Sequence, residues 1–246
     1  MEKTETINEH LSLTSRTTGL SFGTDAYLLA AFVRPRSRAK AADLGSGTGV
    51  IPLLLLEKNK CKCAYGLEIQ PLYADLIEKN ARENGLSDRL SGVCADVRTA
   101  TDRLTGGPCD LVVSNPPYLK VRAGKSCAST EKEMARHETQ GDISDFCACA
   151  ARLLRSGGDA YFVWRPDRLT DLISALRACR LEPKRILFVH GDCLAEPSLC
   201  LVESRKDAKS GCRVLPPLFL HEPGTSGKAR RPMTERAALV YETCQI

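Results

Sequence analysis

Short apolar runs alternate with longer amphipathic stretches between residues 39 and 204. The short runs predict buried β-strands, and the longer stretches between them predict helices. We place seven strands at residues 39–44, 63–67, 90–95, 110–114, 160–164, 185–190 and 199–204. Because this alternation is typical of βαβ units, it predicts an α/β fold with a doubly wound, mostly parallel seven-stranded sheet.

Five helices are predicted, at residues 26–33, 50–58, 71–84, 143–154 and 167–179. Thr24 or Asp25 is placed to cap the first helix, and Pro71 suits the first turn of the third, with Gly85 as its stop. The connection at residues 119–142 is longer than the roughly 12–15 residues usual for an unstructured loop. We therefore expect it to be functional or partly helical.

Composition narrows the class of protein. The 246 residues carry 35 Lys and Arg against 30 Asp and Glu, and 43% are hydrophobic, which argues against disorder. The longest purely apolar run, residues 51–56, is far short of the roughly 20 residues a membrane span needs, and the first ten residues are polar. We expect a cytoplasmic protein with no membrane partner.

The twelve cysteines are interpreted as reduced, mostly buried thiols, because no export signal accompanies them. The close pairs are both CxC, and no CxxC pair is present to predict a zinc site. We therefore expect no metal.

A glycine loop follows the first strand of the predicted sheet. Asp43 lies two residues before Gly45, and Gly47 and Gly49 complete a D-x-G-x-G-x-G pattern that opens a helix. This spacing departs from the GxGxxG dinucleotide fingerprint, and a carboxylate here would repel a diphosphate. It would attract an amino or sulfonium group, and the glycines would allow close approach to the backbone. S-adenosylmethionine fits that description.

Two further acids close the next two strands. Glu68 follows the second strand, where it could accept hydrogen bonds from ribose hydroxyls, and Asp96 follows the third, where it could receive an adenine amino group. Either acid alone is more simply a solvated strand-end residue. Together, at the edge where open α/β sheets bind ligands, they favour a cofactor site.

The fourth strand ends in Asn115-Pro116-Pro117-Tyr118. Two consecutive prolines stiffen the chain where it leaves the sheet. The side-chain oxygen of Asn115 and the carbonyl of Pro116 could each accept a hydrogen bond from an NH₂ group whose lone pair is otherwise delocalised. Tyr118 offers a flat face for a planar target. We predict methyl transfer to an exocyclic or amide nitrogen, without a strong general base.

With the D-x-G-x-G-x-G loop, the chain resembles the class I S-adenosylmethionine-dependent methyltransferases, with their Rossmann-like fold. The (N/D)PP(Y/F) motif is shared by enzymes acting on DNA adenine, RNA adenine or guanine, and release-factor glutamine. The release-factor enzymes carry a substantial helical domain before the glycine loop, whereas 42 residues precede Asp43 here. That difference counts against a glutamine substrate.

The remaining motifs resemble the bacterial tRNA(Val) (adenine-N6)-methyltransferase family. They lie at residues 22–30, 115–118, 135–138, 164–169 and 181–186. The resemblance implies cofactor contacts from residues 43–49 with Glu68, Asp96 and Asn115, catalytic placement by residues 115–118, and a tRNA substrate. We expect a single domain overall, in which residues 1–38 form an N-terminal segment and helix packing over the cofactor site and residues 39–246 form the methyltransferase domain.

Several polar residues could support these roles. Thr24 and Asp25 could contact the cofactor, although helix capping alone would explain them. Arg136, Arg165 and Arg168 could grip RNA phosphates, although a charged surface or a salt-bridged helix start explains them nearly as well. Basic residues at 34–40 and in the tail at 205–236 would support salt-sensitive nucleic-acid binding.

We therefore expect an N-methyltransferase acting on adenine N6 in tRNA. The same chemistry on a protein glutamine amide or on guanine N2 of ribosomal RNA stays open. So does a catalytically silent adaptor that binds S-adenosylmethionine and RNA, although both motifs are intact.

Overall fold

The structure is a computed structural model that describes residues 2–16, 23–117, 141–223 and 231–246. Its strands are β1 (Glu2–Asn8), β2 (Leu11–Arg16), β3 (Lys40–Leu44), β4 (Cys63–Glu68), β5 (Leu90–Cys94), β6 (Cys109–Ser114), β7 (Leu154–Trp164), β8 (Leu181–His190), β9 (Pro197–Lys206), β10 (Arg213–Val214) and β11 (Leu218–Phe219). Its helices are α1 (Thr24–Phe32), α2 (Val50–Glu57), α3 (Pro71–Glu83), α4 (Ile143–Leu153), α5 (Leu169–Ala178) and α6 (Glu235–Thr243), with 3₁₀ turns at Asp102–Thr105 and Pro166–Arg168.

The central sheet has the order β10-β8-β9-β7-β6-β3-β4-β5, and β11 also pairs with β8. All pairs are parallel except those that β9 makes with β7 and β8. The α/β fold with a mostly parallel sheet is therefore confirmed. The count of seven strands is wrong, because β10 and β11 add two strands of two residues each, too short to show any periodicity.

Helices cover both faces of the sheet. The core on one face contains buried residues of α1, α2, α3 and α6, and the core on the other contains those of α4 and α5. Helix α2 is apolar on nearly all sides, since residues 50–56 are all buried. The described cysteines are free thiols, and six of them are buried, at positions 61, 109, 147, 149, 200 and 244.

The N-terminal region differs from the prediction. A two-stranded antiparallel hairpin of β1 and β2 was not foreseen in the polar opening, and it packs on α3 through Asn80 and Asn84. Helix α1 forms as predicted, but its N-cap is Gly23 and no side chain caps it. The expectation that Thr24 or Asp25 caps α1 is therefore wrong.

Two boundaries toward the C-terminus also moved. Strand β7 begins at Leu154, inside the predicted helix end, and a 3₁₀ turn replaces the predicted start of α5. Helix α6 was missed in the basic tail, and it is anchored by stacking of Tyr241 on Tyr27, with ring centroids 5.0 Å apart. Among the described helices, none has the length and apolar character to cross a membrane.

Candidate active site

A cleft of about 410 Å³ opens where β3, β4, β5 and β6 end. Its lining comes from the glycine loop, the ends of β4 and β5, the segment after β6, and apolar side chains of α1, α2 and α4. These strands are mutually parallel, so their carboxyl ends share one edge of the sheet, as in other open α/β sheets. The site was predicted at this edge.

The glycine loop between β3 and α2 is held by backbone contacts. The amides of Gly45 and Ser46 both donate to the carbonyl of Leu67, at 2.9 and 3.0 Å. Gly47 and Gly49 have φ angles of +55° and +84°, which favour glycine. A Cβ at Gly47 would meet nothing within 4 Å, so the loop presents bare backbone to the cleft.

Asp43 lies beneath this loop with 1% of its surface exposed. Its Oδ2 accepts a hydrogen bond of 2.6 Å from Ser46 Oγ, while its Oδ1 is buried and has no partner among the described residues. The pKa of Asp43 is raised to about 7, chiefly by burial; the Ser46 hydroxyl opposes the shift, and the nearby Glu68 carboxylate adds to it. A cationic ligand in the cleft would favour the ionised form.

The other two predicted acids behave differently from each other. Glu68 lines the cleft, and its carboxylate accepts hydrogen bonds from the amides of Gly47 and Gln70, at 3.0 and 3.1 Å. Asp96 pairs with Arg98, and that guanidinium lowers the pKa of Asp96. The cleft is lined there by Ala95 and Val97, the two neighbours of Asp96.

The segment after β6 carries the predicted catalytic residues. Asn115, Pro116 and Pro117 line the cleft, and Oδ1 of Asn115 is buried without a partner among the described residues. Ser114 ties this point to the neighbouring strand, because its hydroxyl donates to the carbonyl of Leu44 at 2.8 Å. Tyr118 and Arg136 lie outside the described residues.

The remaining predicted residues are not gathered into the cleft. Gly23 and Ala26 line it, whereas Thr24 lines a second cavity and Asp25 lines neither. Arg165 pairs with Asp167, at 2.9 Å. Arg168 pairs with Asp171 and stacks on Trp164.

The basic segment between α1 and β3 lies at the opposite end of β3 from the cleft, since it precedes the strand that the glycine loop follows. Arg36 pairs with Asp159 at 2.5 Å, and the ammonium of Lys40 donates to the carbonyls of Thr105, Gly106 and Gly107. These side chains are engaged in holding the fold.

Sequence reasoning missed two residues that shape the site. The side chain of Asn80 is fully buried in α3 and donates to the carbonyls of Thr48 and Thr14, so it joins the glycine loop to the hairpin. Its signal was an amide inside an otherwise apolar helix face. Phe146 of α4 lies against Gly45 and lines the cleft, a position that no local pattern distinguishes from core.

Comparison with known proteins agrees with this architecture. The family model for the methyltransferase small domain matches residues 17–177. A tRNA1(Val) (adenine(37)-N6)-methyltransferase of Porphyromonas gingivalis is 31% identical over 189 residues, covering 74% of this chain and 73% of that protein. A protein of the same name from Aeromonas hydrophila is 31% identical over 160 residues, covering 65% of each.

Among solved structures, a predicted O-methyltransferase of Agrobacterium tumefaciens superposes with a TM-score of 0.70 at 23% identity. The alignment covers 90% of this chain and 97% of that one. At this identity the likeness concerns the fold.

The cleft fits a sulfonium cofactor. It combines an open backbone loop at Gly47, the carboxylate of Glu68 and apolar walls. Asp43 does not line the cleft but lies buried behind the loop, with one oxygen unpartnered among the described residues. A cation in the cleft would be attracted by the Asp43 carboxylate. A pyrophosphate bound at the same loop would be repelled by it. The chain belongs to the methyltransferase small domain family and is an S-adenosylmethionine-dependent N-methyltransferase.

Proposed function

We propose that this enzyme transfers the methyl group to the exocyclic N6 of an adenine in tRNA. The observation that carries the proposal is Oδ1 of Asn115, an acceptor buried at the wall of the cleft with no partner among the described residues. A buried amide oxygen without a hydrogen bond costs free energy, so such an atom is explained by a ligand that donates to it. The NH₂ of adenine is such a donor, and the two tRNA-modifying relatives support RNA as its carrier.

In this mechanism the chain's main contribution is to orient the amine. Asn115 Oδ1 and the carbonyl oxygen of Pro116 would each accept a hydrogen bond from one N–H group of the target amine. Pro116 has no amide hydrogen, so its backbone offers only an acceptor. This arrangement favours a tetrahedral nitrogen whose lone pair points along one direction. Tyr118 would stack on the base. The bound cofactor supplies a methyl group already activated by the positive charge on sulfur.

The cofactor would be held by residues on the other side of the cleft. The ionised Asp43 and the backbone at Gly45, Gly47 and Gly49 would hold its charged amino-acid end, and Glu68 would accept from its ribose hydroxyls. Asp96 would contact the adenine ring by giving up part of its pairing with Arg98. Thr24 and Asp25 are proposed to approach this end from α1.

On the RNA side, we propose phosphate contacts from Arg136, Arg165 and Arg168. Arg165 and Arg168 would exchange their exposed aspartate partners for a phosphate. Such exposed ion pairs contribute little to stability in water. We propose a cytoplasmic location, where tRNA is present.

The test separates the substrate classes. Purified protein is incubated with methyl-labelled S-adenosylmethionine and, separately, with bulk tRNA, ribosomal RNA, DNA and a protein extract, and nucleosides of the labelled RNA are identified by mass spectrometry. We expect label in tRNA as N6-methyladenosine, and a rate of labelling lower by a factor of about 100 or more with Asn115→Ala. Label in ribosomal RNA as N2-methylguanosine, or in protein, would contradict the proposal, and absence of label from every fraction would favour the silent adaptor.

A further inference from the structure

A second cavity, of about 490 Å³, lies beside the cleft. Its walls come from the start of α1, the residue after β8 and five residues between positions 220 and 241, which we call the C-terminal segment. The lining residues are Thr24, Gly191, Leu220, His221, Arg231, Met233 and Tyr241. Gly23 lines the cleft and the next residue, Thr24, lines this cavity, so the walls of the two spaces adjoin at the start of α1. A ligand that fills the cleft could therefore continue into the cavity.

The walls of this cavity are ordered by backbone hydrogen bonds. The amide of His221 donates to the carbonyl of Gly191 at 3.0 Å, and the amide of Glu222 donates to the carbonyl of Pro232 at 3.0 Å. His221 also forms a β-bridge with Met233. The C-terminal segment thus extends the sheet beyond β8, which keeps the polar side chains of the cavity in place.

The polar side chains of the cavity are of types that commonly contact nucleotides. Nδ1 of His221 is buried and has no hydrogen-bond partner among the described residues. Arg231 pairs with Asp192, whose side chain is 10% exposed, while that of Arg231 is 43% exposed. The buried carboxylate therefore orients the guanidinium, and its remaining N–H groups can be reached from outside.

Tyr241 adds an aromatic ring and a hydroxyl, and this hydroxyl forms a hydrogen bond with the side chain of Thr24 in the same wall. Its ring stacks on Tyr27, and the Tyr27 hydroxyl donates to the Tyr241 carbonyl at 2.6 Å, so the ring is fixed. A cation, an imidazole, hydroxyls and an apolar wall of Leu220 and Met233 together match one phosphate, one sugar and one base. A purely apolar ligand would leave Nδ1 of His221 without a partner and would make no use of the accessible N–H groups of Arg231.

We propose that this cavity binds a nucleotide adjacent to the target adenosine, with its phosphate on Arg231 and its sugar or base against His221 and Tyr241. The proposal rests on RNA being the substrate, as proposed above. It assigns the C-terminal segment to substrate recognition, a role that the family's cofactor and NPPY motifs do not provide. Since the contact is made to a neighbouring nucleotide and not to the reacting amine, it contributes to RNA affinity and to the choice of sequence beside the target.

The experiment compares Arg231→Ala with Arg180→Ala, a matched control. Arg180 also pairs with an aspartate, Asp207, and its side chain is 78% exposed, but it immediately precedes β8, at the end of that strand remote from the cavity. For each variant, KM and kcat for tRNA, the cofactor Kd and the dependence of RNA binding on salt are measured.

We expect Arg231→Ala to raise KM for tRNA about tenfold, with kcat and cofactor Kd unchanged. The slope of log K against log salt should fall by about 1, because one phosphate contact is lost. Arg180→Ala should change neither quantity. Equal KM values and salt slopes for the two variants would overturn the subsite.

Removal of Arg231 leaves Asp192 without its partner, so folding is checked by thermal unfolding. If Arg231→Ala is unstable, the double variant Arg231→Gln with Asp192→Asn removes both charges and keeps a neutral pair, and the same shifts are expected. If the wild type methylates no tRNA, the proposed function fails first. Direct binding of the same tRNA then tests the cavity alone, and equal binding by wild type and Arg231→Ala would refute it.

Discussion

The two ends of helix α1 have opposite chemistry. At its N-terminus, the N-cap residue is Gly23, so no side chain bonds the first amides of the helix. Gly23 lines the cleft, and Thr24 lines the second cavity. At its C-terminus, Lys60 Nζ donates to the carbonyls of Ala30, Ala31 and Val33, and Arg185 donates to that of Phe32. Cations on the last carbonyls of a helix stabilise it through hydrogen bonds and the helix dipole.

The same contrast extends to the surrounding side chains. Around the C-terminal end, the buried Glu203 pairs with Arg185 and Arg34, and the buried Asp159 pairs with Arg36 and Arg205, although Oε1 of Glu203 has no partner in the described part of the chain. Around the N-terminal end, Asn115 and His221, which line the cleft and the second cavity, each keep a buried polar atom without a partner in that same part. The charges around the C-terminal end of α1 are thus mostly paired within the protein, whereas the buried atoms of Asn115 and His221 would be paired by a ligand under the functions proposed above.

The largest effect is expected from Arg185→Ala, which breaks the paired end. It leaves the carboxylate of Glu203 buried without its main partner, and it removes the donor to the carbonyl of Phe32. We therefore expect a loss of about 3–5 kcal/mol in unfolding free energy. Urea denaturation measures it. The matched control, Arg185→Met with Glu203→Leu, removes both charges and should recover most of the loss. Equal stability of Arg185→Ala and wild type would show that the pair is not structural.

Asn115→Ala alters the other end and should leave the fold intact. We expect kcat to fall by a factor of about 100 or more, because the amine loses an oriented acceptor, while cofactor affinity changes little. Unfolding free energy should stay equal or rise, since a buried atom without a partner is removed. Turnover with labelled cofactor, isothermal titration with S-adenosylmethionine and urea denaturation check the three statements, and unchanged turnover would exclude Asn115 from the mechanism.

The pH dependence of cofactor binding tests Asp43. Its pKa is raised to about 7, chiefly by burial, and a cationic ligand needs the ionised form, so binding below pH 7 must include loss of a proton. We expect affinity for S-adenosylmethionine to weaken about tenfold per pH unit below 7 and to level off above it.

Asp43→Asn serves as the control for that profile. It should bind weakly and with no step near pH 7. In the free wild-type protein the sign of the stability effect is opposite: a raised carboxyl pKa means that stability is full at low pH and declines as pH rises through about 7. A flat binding profile for the wild type would show that Asp43 does not pair with the cofactor.

The smallest effect is expected from Arg36→Ala. Asp159 keeps Arg205 as a partner at 2.7 Å, so the loss of stability should be about 1 kcal/mol. Because Arg36 follows the paired end of α1, KM for tRNA and the salt slope of RNA binding should equal those of the wild type. A reduced salt slope would show that the basic segment contacts RNA and would remove the contrast between the two ends.

Much of the site could be read from local sequence. The D-x-G-x-G-x-G loop, Glu68 and Asn115-Pro116-Pro117 follow directly from strand ends, and parallel strands bring their carboxyl ends to one edge without further information. The role of Asn80 was less visible, because a single amide on a helix face does not say which loop it will bind. The hairpin of β1 and β2 was missed because its first strand is polar and mostly exposed.

Between residues 24 and 206, the sequence by itself determined the order of the main strands and helices, the mostly parallel sheet and the position of the glycine loop, because these depend on periodicity, glycine spacing and strand ends over short distances. Only the tertiary structure decided which charges are paired. Arg34 and Glu203 are 169 positions apart in the chain and nevertheless form a pair. Pairing depends on distance in space and on burial, and neither is encoded in the local pattern of residues.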